Sequence, residues 1–276
     1  MSIIEFITNN HIIFLSLVAT GAFAGILAGL LGVGGGIVIV PVLFFLFQGV
    51  GVSPESAMVV ATATSLATIV PTSISSILSH HQRGNVDFDL LKRWVAFIFL
   101  GVFAGSWLVT YVDGTWLTVL FGGIAIFSAL NMLFRTGKAA LFQQLPSKIG
   151  QTTMAVSIGF FSSMVGIGGG TISVPLLTLY NYTVYKAVGT ASAIGLIISL
   201  PSVLIIWALG STPNDAPAGT FGLFNLIGFF CIVPLTVIFA PVGASLAGKL
   251  DAAKLKKVFA AVLFITGLRM LVQLSM

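Results

Sequence analysis

Two five-residue runs, Gly32-Val33-Gly34-Gly35-Gly36 and Gly166-Ile167-Gly168-Gly169-Gly170, interrupt apolar sequence, and each is followed five residues on by a proline, Pro41 and Pro175. Glycine in a helix interior costs about 1 kcal/mol relative to alanine, so three in a row predict a break. Fresh helices are then expected to start at Ile37 and Thr171. The first N–H groups of such a helix lack intrahelical partners, and the dipole places roughly +0.5 charge there. With no side chain at Gly34, Gly35, Gly36, Gly168, Gly169 or Gly170, a ligand can approach the backbone. The chemistry this allows is anion binding without a basic side chain. The competing use of the same residues is close helix packing.

A second doubled feature supplies hydroxyls. Ala61-Thr62-Ala63-Thr64-Ser65 is echoed by Gly189-Thr190-Ala191-Ser192-Ala193. Thr62, Ser65, Thr190 and Ser192 could donate to a bound oxyanion. They could equally bond back to their own helix or across to a neighbour. Arg269 is the basic residue set deepest in an apolar segment; Lys92, Arg93, Lys254, Lys256 and Lys257 lie in the first turns of theirs. Arg269 reads as a snorkelling side chain or as a lining group that guides anions, with Asn131 at the corresponding place in the first half.

Other chemistries lack their residues. No acidic residue falls inside an apolar segment; Glu5, Glu55, Asp87, Asp89, Asp113, Asp215 and Asp251 all sit at loops or edges. Proton- and sodium-coupled carriers and cation sites usually place a carboxylate in the membrane. No nucleophile–base pair, metal-ligand spacing or cofactor motif is present, so neither an enzyme nor a metal site is expected. The knots are not dinucleotide or Walker loops, since position 37 is Ile and no Lys-Ser/Thr pair follows. The net charge of +5 is too scattered for nucleic acid.

The elements that must position these residues are membrane helices. Only 7% of the chain is charged and 57% is hydrophobic, against roughly 25% charged in soluble domains. The apolar segments expected are 11–31, 37–50, 57–78, 91–112 and 116–134, then 152–165, 171–184, 187–209, 221–246 and 253–274. Segments 37–50 and 171–184 are too short for a ~30 Å core. The order recurs, with residues 1–136 as a first repeat, 137–147 as a connector and 148–276 as a second repeat. Lys and Arg gather near residues 83–93, 135–148, 186 and 249–257, which marks those loops as cytoplasmic; loops 48–56, 113–115 and 211–220 carry none and should face outward. The first Lys or Arg is Arg83, so the N-terminal segment reads as a membrane segment rather than a cleaved signal. An odd number of segments per half makes the halves oppositely oriented. The expected fold is thus an all-α polytopic membrane protein of two inverted-topology repeats of five segments. Re-entrant hairpins would turn at the glycine knots near the midplane.

The knots with their flanks, Gly25 to Pro41 and Gly159 to Pro175, together with Ala61-Thr62-Ala63-Thr64-Ser65, Pro241-Val242-Gly243-Ala244 and Gly267-Leu268-Arg269-Met270, resemble the sulfite exporter TauE/SafE family across essentially the whole chain. The resemblance implies a plasma-membrane carrier for a small sulfur-containing anion such as sulfite or a sulfonate, usually moved outward. Other readings of the same residues are a passive anion channel and a membrane scaffold subunit that transports nothing. Neither number of copies nor ligand is fixed by the sequence.

Overall fold

A computed structural model describes residues 11–32, 34–134, 142–246 and 252–274. Among them are ten helices: α1 (His11–Leu31), α2 (Gly36–Gly49), α3 (Pro54–His81), α4 (Phe88–Val109), α5 (Gly114–Phe134), α6 (Lys148–Val165), α7 (Gly170–Leu179), α8 (Val184–Leu209), α9 (Leu226–Leu246) and α10 (Ala252–Gln273). One small hairpin joins strands β1 (Thr220–Phe221) and β2 (Phe224–Asn225). α1, α3, α5, α8 and α9 are long and apolar enough to cross a membrane, while α2 and α7, at 14 and 10 residues, are short. The surface agrees: Phe99, Phe103, Phe127, Leu204, Phe230 and Ile265 are exposed, as expected where lipid replaces water. The chain is an all-α multi-pass membrane protein.

Most boundaries fall within four residues of where hydropathy places them, and the end of α7 and the start of α9 differ by five. α7 stops at Leu179 rather than running on toward 184, because the chain turns at Asn181 with φ 64°. α8 then starts three residues early under a Thr183 cap. α9 starts at Leu226, not 221, because residues 220–225 form the hairpin.

The helices pack in a regular way. α1 lies along α9 and α4 along α6; α3 crosses α8, and α5 packs on α10; α9 also touches α3, α4 touches α8, α2 lies on α3 and α7 on α8. Exchanging α1–α5 with α6–α10 leaves this set of pairs unchanged. Glycine makes the tightest of them. Gly21, Gly25 and Gly29 press in register on Ile232, Thr236 and Ala240, so α1 and α9 run parallel. Gly101 and Gly105 press on Val156 and Phe160, so α4 and α6 run parallel too. The self-paired helices are antiparallel. On α3 and α8, Ser73 faces Gly195 while Ser76 shares a 2.9 Å hydrogen bond with Ser192. On α5 and α10, Gly122 faces Leu271 and Ala125 faces Gly267.

The loops gather at opposite ends. Asp215, in the loop after α8, bonds the loop before α3, and Gly114 at the start of α5 meets the Glu55 carbonyl. These loops carry no Lys or Arg. Trp107, Tyr111, Trp116 and Trp207 are exposed beside them, where interfacial aromatics belong. At the other end Asp87 contacts Tyr182 and Lys186, Phe142 stacks on Tyr180, and Arg83, Lys92, Arg93 and Lys148 lie nearby in sequence. Lys138 and the other connector residues through 141, and loop residues 247–251, lie outside the described residues.

Candidate functional site

α3, α4, α6 and α8 each begin under a side chain that accepts a backbone N–H: Ser53, Asp87, Ser147 and Thr183. α2 and α7 begin under Gly35 and Gly169 and have no side-chain cap. Both uncapped starts are deep inside the molecule, since Gly34, Gly35, Gly36, Gly168, Gly169 and Gly170 are all buried. The sharp reversals need glycine: Gly35 has φ 77° and Gly168 φ 65°, a region that costs a residue with a Cβ.

The knots meet at the α3–α8 crossing. A Cβ on Gly36 would run into the Gly166 carbonyl and lie 2.9 Å from Ile69 Cδ1, so the first tip touches the second. Each knot also leans on the crossing helix of the other half. Gly32 abuts the Val188 carbonyl on α8, and Gly166 abuts the Thr62 carbonyl on α3. Gly169 sits against Ile194, close to Gly195. Thr62 is ~12 Å along α3 from the Lys/Arg-free end, and Ile69 is ~22 Å along it, near the middle of the helix. The two tips therefore pass one another around the centre rather than meet end to end.

The hydroxyls named from sequence divide. Thr62 is fully buried and its Oγ1 has no partner. Ser65 donates to the Gly166 carbonyl at 2.7 Å and so ties the second knot to α3. Thr190 Oγ1 accepts the Asp87 N–H at 3.0 Å, toward the basic end. Ser192 donates to the Val188 carbonyl and pairs with Ser76. Thr64 accepts the Asn225 N–H and anchors the hairpin. Arg269 is exposed and lies 4.4 Å from the centroid of the Phe45 ring, on the outside of the bundle. Asn131 is half-buried near the end of α5. Neither is at the knots.

Other residues at the crossing escaped the sequence reading. Among the described residues, Ser73, Thr171, Ser162 and Ser199 also bury hydroxyls with no partner. Leaving such a group unpaired costs about 1–3 kcal/mol. Thr171 lies in the first turn of α7, and Ser73 Oγ is 3.0 Å from the point a Gly195 Cβ would occupy, itself 3.9 Å from the Gly169 nitrogen. Thr171 follows the second knot directly and was within reach of the pattern; Ser73 became visible only through the α3–α8 contact. The buried polar residues described are Ser and Thr with one His and one Asn, and none is Asp, Glu, Lys or Arg. Among the described residues no group of three or more His, Cys, Asp or Glu could hold a metal.

A family model described as sulfite exporter TauE/SafE matches residues 17–270, a span that contains both knots and every helix but the first turn of α1 and the end of α10. The chain belongs to the TauE/SafE family. Relatives named "Probable membrane transporter protein" are similar over nearly their whole length. One from Haemophilus influenzae is 31% identical across 91% of this chain and 95% of its own. One from Methanocaldococcus jannaschii is 29% identical, covering 92% and 94%. One from Bacillus subtilis is 27% identical, covering 94% and 97%. No solved structure matches the chain. As a TauE/SafE protein it is a membrane transporter.

Proposed function

We propose that this transporter exports a small sulfur oxyanion, sulfite or an organosulfonate, across the plasma membrane by alternating access. The halves 1–136 and 148–276 would act as inverted repeats. Support comes from the antiparallel self-pairs α3–α8 and α5–α10, because a two-fold that exchanges them must lie across the helix axes, hence in the membrane plane. The Lys/Arg-free end would face outward and the basic end the cytoplasm.

The observation that carries the site is the pair of uncapped, buried N-termini of α2 and α7. Gly34, Gly35, Gly36, Gly168, Gly169 and Gly170 would present backbone N–H groups. Thr62, Thr171 and Ser73 would add the donors that lack partners, and Ser65, Thr190 and Ser192 would frame the site. Neutral donors and dipoles bind an oxyanion without a buried counter-charge, so they need not hold it too tightly to release it. An inside-negative potential of about 100 mV favours outward movement of one negative charge by ~2.3 kcal/mol, so no coupling ion is required.

Purified protein in liposomes is the test. Saturable counterflow of labelled sulfite or a sulfonate, together with a ligand-induced rise in melting temperature, is expected. No flux and no thermal shift with sulfite, thiosulfate, sulfate or sulfonates would sink the reading. Single-channel currents would replace the carrier with a pore.

A further inference from the structure

Two carboxylates away from the knots occupy matching places. Asp87 lies between α3 and α4 and reaches the start of α8. Its Oδ2 is 3.3 Å from Lys186 Nζ and accepts the Tyr182 hydroxyl at 3.1 Å, while its own N–H donates to Thr190. Asp215 lies between α8 and α9 and reaches the start of α3. Its Oδ2 accepts the Ser53 N–H at 2.9 Å, and its Oδ1 accepts the Ser56 hydroxyl at 2.5 Å. Exchange of the halves carries one arrangement onto the other. Each loop clasps the first turn of the helix that crosses its own, with the same kind of group and different partners. Asp215 also lines a cavity of about 310 Å³ between α1, α2 and the hairpin, at the Lys/Arg-free end. At the opposite end Gly189 is pressed on the Asn85 carbonyl beneath Asp87.

The chemistry suits a contact that must break in each cycle. Solvent-accessible carboxylate contacts are individually weak and close to balanced against water, whether the partner is a cation, as for Asp87, or an N–H and a hydroxyl, as for the exposed Asp215. The glycine seams α1–α9 and α4–α6 are the opposite, with backbone on backbone and nothing that water could replace. Both carboxylate contacts are made in the same structure.

We infer that Asp87 and Asp215 are opposed positioning latches, which hold the basic-end and Lys/Arg-free-end gates closed and are released one at a time. This rests on the alternating-access reading, though not on which anion is carried. Asp215 guards access from one side and Asp87 from the other, so loss of either shifts the molecule toward the face it guarded.

The full-length protein in nanodiscs, with Cys231→Ser, tests it without ligand. Met58→Cys on α3 and Val188→Cys on α8 place buried thiols beneath the two latches. Adding Asp215→Asn should speed maleimide labelling at position 58 about fivefold and slow it at 188. Asp87→Asn should do the reverse. Ser56→Ala and Lys186→Met repeat the experiment with both carboxylates, and the α4 cap, in place, in case an Asn variant fails to fold. Equal acceleration of both probes by either variant means general loosening and overturns the proposal, as do unchanged rates in folded variants. Intact sulfite counterflow with no reciprocal labelling removes the latches alone. Reciprocal labelling with no sulfur-oxyanion flux removes the substrate alone.

Discussion

At the scale of single residues, the unpaired hydroxyls make the sharpest predictions. Thr171→Val and Thr62→Val keep shape and delete a buried hydroxyl without a partner. Apo stability should be unchanged or rise by about 1 kcal/mol, because no hydrogen bond is lost. Affinity for the anion should fall about tenfold or more, which a thermal-shift titration reads directly. A variant that melts lower and binds normally would make these residues packing groups. The latches predict a pH response. Hydrogen bonds from Ser56 and Ser53 hold the Asp215 carboxyl down to about 2, so its contribution is complete above about pH 4 and lost as the pH falls toward 2. Partial burial pushes the Asp87 carboxyl up, but the Leu90 N–H, the Tyr182 hydroxyl and Lys186 outweigh it and leave it below its ordinary value. Burial and Asp87 raise Tyr182 to about 12, so its phenol keeps donating until the pH climbs past about 10 toward 12. The difference in melting temperature between the parent and Asp215→Asn should therefore be flat from about pH 5 to about pH 9 and close only in strong acid.

At the scale of elements, the glycine seams set the spacing of the bundle. A methyl on Gly29 would strike the Ala240 carbonyl, and one on Gly101 the Val156 carbonyl. Gly29→Ala and Gly101→Ala should each cost about 1–3 kcal/mol, by similar amounts because the two seams correspond. Gly123→Ala, with open space at its Cβ, should be neutral or mildly stabilising. Denaturant melts in detergent separate these cases. Elements were the most legible level of the sequence: a helix that must cross lipid has no alternative way to bond its backbone, so hydropathy dictates its course. What escaped were Tyr180 to Thr183 and the β1–β2 hairpin, where a left-handed Asn181 and a few local bonds decide the path. The knots were legible because glycine runs are rare in such helices. Which hydroxyls stay unpaired was not, because this depends on how α3 and α8 are rotated against each other. Thr190 and Thr62 look alike in sequence, yet one caps a loop contact and the other does not.

At the scale of the whole molecule, the two ends of the bundle differ in charge as membrane orientation demands. Single cysteines at Asn214 and Gln82, both exposed, should label from opposite sides of a cell membrane. Labelling from one side would overturn the inverted arrangement. If export is driven by potential alone, sulfite flux from vesicles should persist with no pH gradient and follow an imposed potassium-diffusion potential. Zero flux under potential alone would require a coupled ion.

The parallel seam of α1 on α9 also bears on how the protein is made. Gly21, Gly25 and Gly29 leave the ribosome about 200 residues before Ile232, Thr236 and Ala240 exist, a wait of roughly 10–40 s at ordinary rates of synthesis. Through that interval α1 has a glycine face and no helix to receive it, so insertion machinery or lipid must shelter it. α4 and α6 close their seam much earlier. The N-terminal half made alone should thus be short-lived in the cell, and co-expression of the C-terminal half should rescue its abundance by supplying α9 in trans.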